Sequence, residues 1–309
     1  MQPTISDGVR NLLNEKQGDE FRSFLSKHAH IQKWMISADF CFDKNFKNKT
    51  YALTIIPIVA PIGMIIDKIN KCMPKDIKKI KNVSNAAISL INDKNFFHFG
   101  FVVNDPVAAF SNASSDSNSY ILDTIEQTYK SMTAAGLSKD QSKPFRLLKE
   151  ESKAKRFNVV AYSQLMIFSA ILTALVITMS KNTSLNLVGV FPDRDAITIQ
   201  HDGLYIELVK QSINDHFIQQ EGRSLPFEIG RGVPNETGKI MWYDELIRLP
   251  DYIANLVAQW DMKTLPNTAS KISPLFYNAY VDSRNLTIVN LRHGDPLYID
   301  FITAKNNAQ

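Results

Sequence analysis

The chain has 309 residues, with 35 Lys and Arg against 31 Asp and Glu, a net charge of +4, and 44% hydrophobic residues. At roughly 100–200 residues per domain this allows one large domain or two ordinary ones, and the apolar fraction excludes a disordered chain or a collagen-like repeat. Two cysteines, Cys41 and Cys72, cannot build a disulfide framework or a four-thiolate zinc site, so a reducing cytoplasm is the simplest setting.

Residues 8–32 read as an N-terminal helix, with Val9, Leu12, Leu13, Phe21, Phe24 and Leu25 at helical spacing. The opening segment carries acids where a signal peptide needs a basic and then an apolar stretch. Residues 34–42 read as a strand, and a polar turn over 43–49 leads into a second strand over 51–59. Residues 62–72 and 75–81 read as helical, interrupted at Pro74. Residues 96–103 form a third strand, and the Ser-, Asn- and Asp-rich stretch 104–119 reads as an exposed loop.

An amphipathic helix follows over 120–133, with Ile121, Ile125 and Tyr129 on one stripe. Another begins near Ser142 and passes into residues 158–180, which carry no charge over 23 residues. Length alone makes that run a transmembrane candidate. The scattered Ser163, Gln164, Ser169, Thr173 and Thr178 favour a helix buried in a protein core over a membrane span. Residues 185–191 are a fourth strand, near-continuously apolar as expected of one covered on both faces. A helix over 205–216, a short strand over 227–229, a turn-rich loop over 231–239 and a helix over 242–262 complete the pattern. Pro250 is placed at the first turn of that helix's second half. Residues 286–291 read as a last strand, and 293–296 as a turn. The order predicts an α/β fold, a mixed sheet with helices packed on it.

The chemistry resides in acids. Asp39 lies mid-strand, on the face shared with Ser37 and Cys41 and opposite Ile36, Ala38 and Phe40. A buried carboxylate there needs a partner or a cation; the alternative is the solvated face of an edge strand. Asp193 and Asp195 follow the carboxyl end of the fourth strand, where open α/β sheets bind ligands, although a Pro-Asp turn and helix cap remains an equal reading. Asp244 and Asp251 share a helix face with Arg248 and Asn255 if the helix is continuous; otherwise Asp251 is a first-turn acid after Pro250. Together these carboxylates are the donor set that Mg²⁺ or Mn²⁺ prefers, leaving positions for water and phosphate.

Three segments resemble a large uncharacterised prokaryotic family with a ribonuclease-H-like fold, whose members open with an Asp-Glu-Ser-Gly strand and close with a Leu-Gln-Leu-Ala-Asp-Leu-Ile-Ala helix. The resemblance is clearest in Ile247-Arg248-Leu249-Pro250-Asp251-Tyr252-Ile253-Ala254 and continues in Val188-Gly189-Val190-Phe191-Pro192-Asp193-Arg194-Asp195 and in Ile36-Ser37-Ala38-Asp39-Phe40. It implies a metal-dependent nuclease acting on RNA or DNA, with Asp39, Asp193 and Asp251 as catalytic metal ligands; Asp195, beside Asp193 after the fourth strand, is an alternative metal ligand read from its position. Phe40-Cys41-Phe42 stands where that family has Glu-Ser-Gly, which allows an inactive relative that binds nucleic acid or a partner protein, or assembles with itself. The family's plan also wants a carboxylate from the helix after the third strand, for which Glu126 is the candidate.

On this reading, residues 1–33 are an N-terminal helical extension and 34–265 a ribonuclease-H-like domain with an insertion near 62–92. Residues 266–309 are then a C-terminal extension on the same domain. Two basic clusters, Lys68/Lys71/Lys75/Lys78/Lys79/Lys81 and Lys143/Arg146/Lys149/Lys153/Lys155/Arg156, are either phosphate-binding surfaces or solvated helix faces. Arg231-Gly232 with Pro234-Asn235 reads as a plain surface turn rather than a phosphate-facing loop. His28 and His30, two apart, are poor metal geometry, and His201, His216 and His293 lack a metal spacing. No Walker or nucleophile-elbow motif is present.

Overall fold

The computed structural model describes residues 4–15, 18–74, 77, 80–111, 116–134, 139–199, 203–232, 241–267, 270–292 and 298–302. Among them, seven strands form one mixed sheet: β1 (Lys33–Cys41), β2 (Thr50–Pro57), β3 (Phe97–Val102), β4 (Leu187–Pro192), β5 (Glu228–Arg231), β6 (Leu286–Arg292) and β7 (Tyr298–Ile302). Their spatial order is β5-β4-β1-β2-β3-β6-β7. β1, β2 and β3 run antiparallel; β4 is parallel to β1, β5 to β4 and β6 to β3, and β7 closes the edge antiparallel. The chain is therefore α/β, with helices on both faces.

Alternation along the strands sorts two cores. Trp34, Ile36, Ala38, Tyr51, Leu53, Phe97, Phe99 and Phe101 face one side. That side is covered by α1 (Ile5–Asn14), α2 (Asp19–Lys27), α5 (Pro106–Ser111), α6 (Ser117–Ala134), α7 (Lys139–Ser152), α8 (Val159–Asn182), α9 (Ala196–Ile199) and α10 (Leu204–Glu221). Met35, Ala52, Ile56 and Ile288 face the other, under α3 (Ile62–Cys72), α4 (Asn85–Ile91), α11 (Asp244–Gln259), α12 (Ser273–Leu275) and a π-helical turn (Phe276–Val281).

Several elements differ from the sequence reading, each for a local reason. The N-terminal helix is two: a Cβ on Gly18 would stand 2.0 Å from the Leu13 carbonyl oxygen, so glycine marks a close chain approach between α1 and α2. The polar stretch after β3 contains α5, whose start is capped by Asp105 accepting from the Ala108 amide (3.0 Å). α7 does not run into α8; the two are separate, and Asn158 caps α8 by accepting from Ala161 (3.1 Å). α11 passes through Pro250 unbroken. Proline lacks the amide that would reach the Leu246 carbonyl, a loss tolerated because the helix is held on both sides of that point by buried Leu246, Leu249 and Ile253. β7 was not foreseen; α4 falls in the helical insertion expected near 62–92, although no helix was placed at those residues. The turn at 293–296, Lys75, Lys78, Lys79, His201, His293, Pro234 and Asn235 lie outside the described residues.

α8 is the one helix, among the described residues, long and apolar enough to cross a membrane, and 83% of its most apolar window is buried. It lies within the protein core between the sheet and α1, α5 and α10. Apolar residues all round the helix suit that position.

Candidate functional site

The site begins where β1 and β4 part. β1 is central: it pairs with β2 along its length and with β4 as far as Ala38 opposite Pro192. The Asp193 amide then donates to the Ala38 carbonyl (2.8 Å), after which the chain turns away. Asp39 is the next residue of β1, on the α11 face, with Ala52 beside it on β2 and Gly100 beyond on β3. The edge-strand reading of Asp39 is therefore incorrect. The carboxylate is 8% exposed and lies beneath a helix.

Small residues set how low that helix lies. A Cβ on Gly100 would stand 2.7 Å from Val257 Cγ2, so the absence of a side chain lets α11 approach the sheet. The approach brings Asp251 near enough for its charge to bear on Asp39. Burial holds the Asp39 pKa well above the usual carboxylate range; the negative charges of Asp251 and then Asp193 push it the same way, against the Phe40 backbone amide. Asn255 orients Asp251, donating from Nδ2 to its Oδ1 (2.8 Å) and to its carbonyl (3.0 Å), and Gln259 Nε2 donates to Asn255 Oδ1 (3.2 Å). Asp251 is thus mid-helix, and the first-turn reading of it fails because α11 begins at Asp244.

Asp193 and Asp195 divide in role. Asp193 is half-buried at the mouth, where its charge reaches Asp39. Asp195 caps α9: its Oδ1 accepts from the Ile197 amide (3.1 Å), and its own amide donates to Thr198 Oγ1 (3.1 Å). The helix-cap reading therefore holds for Asp195, whose charge also lifts the buried Tyr51 hydroxyl after burial itself. Both aspartates line the same cleft, of about 480 Å³, with Asp39, Asp244, Arg248 and Asp251.

Two guanidinium groups face these acids. Arg194, which the sequence reading passed over, lies 3.7 Å from Asp244 and ties the β4 loop to α11. Its signal was its place between Asp193 and Asp195. Arg248, 8% exposed, donates from Nη1 to the Met73 carbonyl (3.1 Å) and lies 3.6 Å from Glu245. That bond fixes the end of α3, which carries Lys68 and Lys71, beside the cleft helix. Lys68 is paired with Asp93; Lys71 and Lys81 are exposed.

Other candidates are placed elsewhere. Glu126 is on α6, 2.9 Å from Lys149 and 3.7 Å from Lys130, and does not line the cleft. The second basic cluster is on and after α7, which packs on the α8 side of the sheet, away from the acids; Lys143, Arg146, Lys153, Lys155 and Arg156 are exposed there. His28 Nδ1 lies 2.9 Å from the Phe24 carbonyl, a structural role.

Oxygen donors are thus gathered at one end of the sheet. Among the described residues, however, no three His, Cys, Asp or Glu side chains already stand as a metal cage. Burial and the neighbouring charges of Asp251 and Asp193 favour the protonated form of Asp39, and a cation bound there would displace that proton. Comparison with protein-family models, curated proteins and solved structures finds no match to this chain.

Proposed function

We propose that the cleft binds Mg²⁺ or Mn²⁺ and that the protein is a ribonuclease-H-like hydrolase of phosphodiester bonds in RNA or DNA. The observation carrying this reading is that Asp39, Asp193 and Asp251, far apart in sequence, meet at the carboxyl ends of β1 and β4. The core strands support it: three antiparallel strands, then two parallel to the first, suit a ribonuclease-H-like sheet. Asp39, Asp251 and Asp193 would hold the cation, with Asp195 restrained by its cap. A bound divalent ion supplies an activated water and neutralises charge at the phosphate. Arg194 and Arg248 flank the acids where phosphate oxygens would lie, and Lys71 extends the basic surface along α3. Because the buried Asp39 must give up its proton to a cation, cation affinity rises with pH.

The test is cleavage of single- and double-stranded RNA and DNA with Mg²⁺ or Mn²⁺, alongside calorimetric cation titration. Asp39→Asn and Asp251→Asn should each lower cleavage at least about a hundredfold, the scale of losing a key electrostatic group. Undiminished cleavage in both variants would remove the assignment.

A second reading, an inactive binding subunit of the same fold, is favoured by the segment after Asp39. Phe40 and Phe42 are committed to packing: their rings are 5.7 Å apart, and Phe40 meets Phe168 edge-on at 4.9 Å. Among the described residues, no carboxylate from the helices between β3 and β4 lines the cleft. Nucleic-acid binding that is indifferent to divalent ions, with no cleavage, would select this reading. In either case we place the protein in the cytoplasm, with nucleic acid as its partner and no membrane.

A further inference from the structure

One large aromatic side chain is left in water beside the acidic cleft. Of the three tryptophans, Trp34 and Trp260 are each 1% exposed, and their ring nitrogens donate to the Ile31 and Thr264 carbonyls (2.9 and 2.8 Å). Trp242 is 43% exposed, and among the described residues it is the largest apolar side chain that is not covered.

Its backbone is nevertheless held. Trp242 sits in the turn that opens α11, where the Asp244 amide donates to the Met241 carbonyl (3.1 Å), the Met241 amide to Asp244 Oδ2 (3.3 Å) and the Leu246 amide to the Tyr243 carbonyl (2.9 Å). Met241 and Tyr243 are both buried. A residue fixed between two anchored neighbours is ordered before anything binds, which lowers the entropic cost of binding. The indole meets Phe191 at 5.0 Å and Tyr243 at 5.6 Å between ring centres, at 73° and 87°, so neither ring stacks flat upon it.

The surroundings suit one strand of nucleic acid. Phe191 comes two residues before Asp193 and Trp242 two before Asp244, so the indole stands where both cleft-lining segments begin. Arg194, 3.7 Å from Asp244, joins those segments, and its side chain is 42% exposed. Beside Phe191 the sheet is nearly bare: a Cβ on Gly189 would stand 2.6 Å from the Phe191 ring, and Gly230, paired with Gly189 on β5, has open space above it. A fixed aromatic face next to a guanidinium offers stacking for a base and positive charge for its phosphate. Bases inside a duplex are already stacked on one another, and only an unpaired base presents its face to a side chain.

We propose that Trp242 is a stacking platform for an unpaired base, and that the cleft acts on single-stranded rather than duplex nucleic acid, with Arg194 holding the phosphate between platform and acids. This assignment of substrate rests on the hydrolase reading of the cleft.

The probes are oligothymidylate and oligouridylate of about twelve nucleotides, within the span of a single-strand site, each alone and annealed to its complement. They are added to the full chain in EDTA and, read immediately after mixing, in Mg²⁺. Single strands should quench the tryptophan emission saturably, because the other two indoles are shielded, and should bind more tightly than the duplexes. By polarisation of end-labelled strands, Trp242→Ala should weaken single-strand binding about tenfold, the scale of one lost base–aromatic stack. Trp242→Phe should keep most of the affinity, and neither variant should change duplex binding. The proposal is overturned if no single strand quenches the emission in either condition, if duplexes bind more tightly, or if Trp242→Ala, folded by circular dichroism, binds single strands as wild type does or loses duplex binding equally. An emission that shifts with protein concentration alone would place Trp242 between two copies of the chain and would also overturn it. Single-strand binding indifferent to Trp242→Ala, beside cleavage abolished by Asp39→Asn, would remove the platform and leave the hydrolase; the opposite pair of results would remove the acid site and leave the platform.

Discussion

α8 and α11 are both long buried helices, one on each face of the sheet, yet they are built differently. α8 is apolar around its circumference, and most of its hydroxyls are turned back onto its own backbone. α11 is amphipathic: Leu246, Leu249, Ile253 and Leu256 are buried, while Asp244, Arg248, Asp251 and Asn255 run along the cleft at spacings of three and four. A helix apolar all round serves mainly as packing surface. One that leaves a polar stripe at the end of a sheet can carry ionisable groups, and two buried titratable groups of the sheet, Asp39 on β1 and His98 on β3, lie on the α11 face.

If this division holds, the two faces respond to different perturbations. The largest effect belongs to α8. Phe168 is 0% exposed and packs on Phe40 (4.9 Å) and Tyr205 (5.6 Å). Phe168→Ala should cost about 3–5 kcal/mol in urea unfolding, with little pH dependence of the loss. A cost under about 1 kcal/mol would mean that α8 is not the mechanical core.

The second effect is acid-induced and belongs to the α11 face. His98 Nε2 donates to the Ile91 carbonyl (3.0 Å), so Nδ1 accepts from Thr54 Oγ1 (2.9 Å), and burial lowers its pKa to about 4. Below about pH 6.5 the unfolded chain takes up a proton that the folded chain refuses, so stability falls with pH until the folded value is reached. The loss should total about 3 kcal/mol between pH 6.5 and 4, and His98→Gln should remove it. Unchanged acid sensitivity in His98→Gln would assign the proton uptake to another group.

The smallest effect has the opposite sign. Asp39 keeps its proton in the folded state above the pH at which the unfolded chain releases it. In chelator, its contribution is complete below the ordinary aspartate pKa and is lost as pH rises through the elevated folded value. Asp39→Asn should flatten that arm, and Mg²⁺ should offset the loss in the wild type alone. A Mg²⁺ response that survives in Asp39→Asn would break the link between the buried acid and cation binding.

Much of this was legible because it depends on period. Alternation placed Asp39 with Ser37 and Cys41, and helical spacing put Asp244, Arg248, Asp251 and Asn255 on one stripe. Whether β1 was central or at an edge was not legible, since an apolar strand reads alike in both places. Nor was the continuity of α11 through Pro250, which rests on buried contacts to the sheet. α5 was hidden in a polar stretch because its start depends on one Asp105 cap, and β7 because five residues carry too little pattern. The Asp195 cap and the Arg194–Asp244 pair were both available as residue types, but only coordinates could tell a capping carboxylate from one at a cleft.

The order of residues alone settled the alternation of strands and helices, the apolar character of α8 and the identity of the acids, because these follow from local period and side-chain chemistry. Tertiary structure decided which acids meet. Asp39 and Asp251 are more than two hundred positions apart, and their contact depends on β4 parting from β1 at Pro192 and on Gly100 letting α11 lie low. Those are matters of strand pairing and packing distance between remote segments, which local periodicity does not encode.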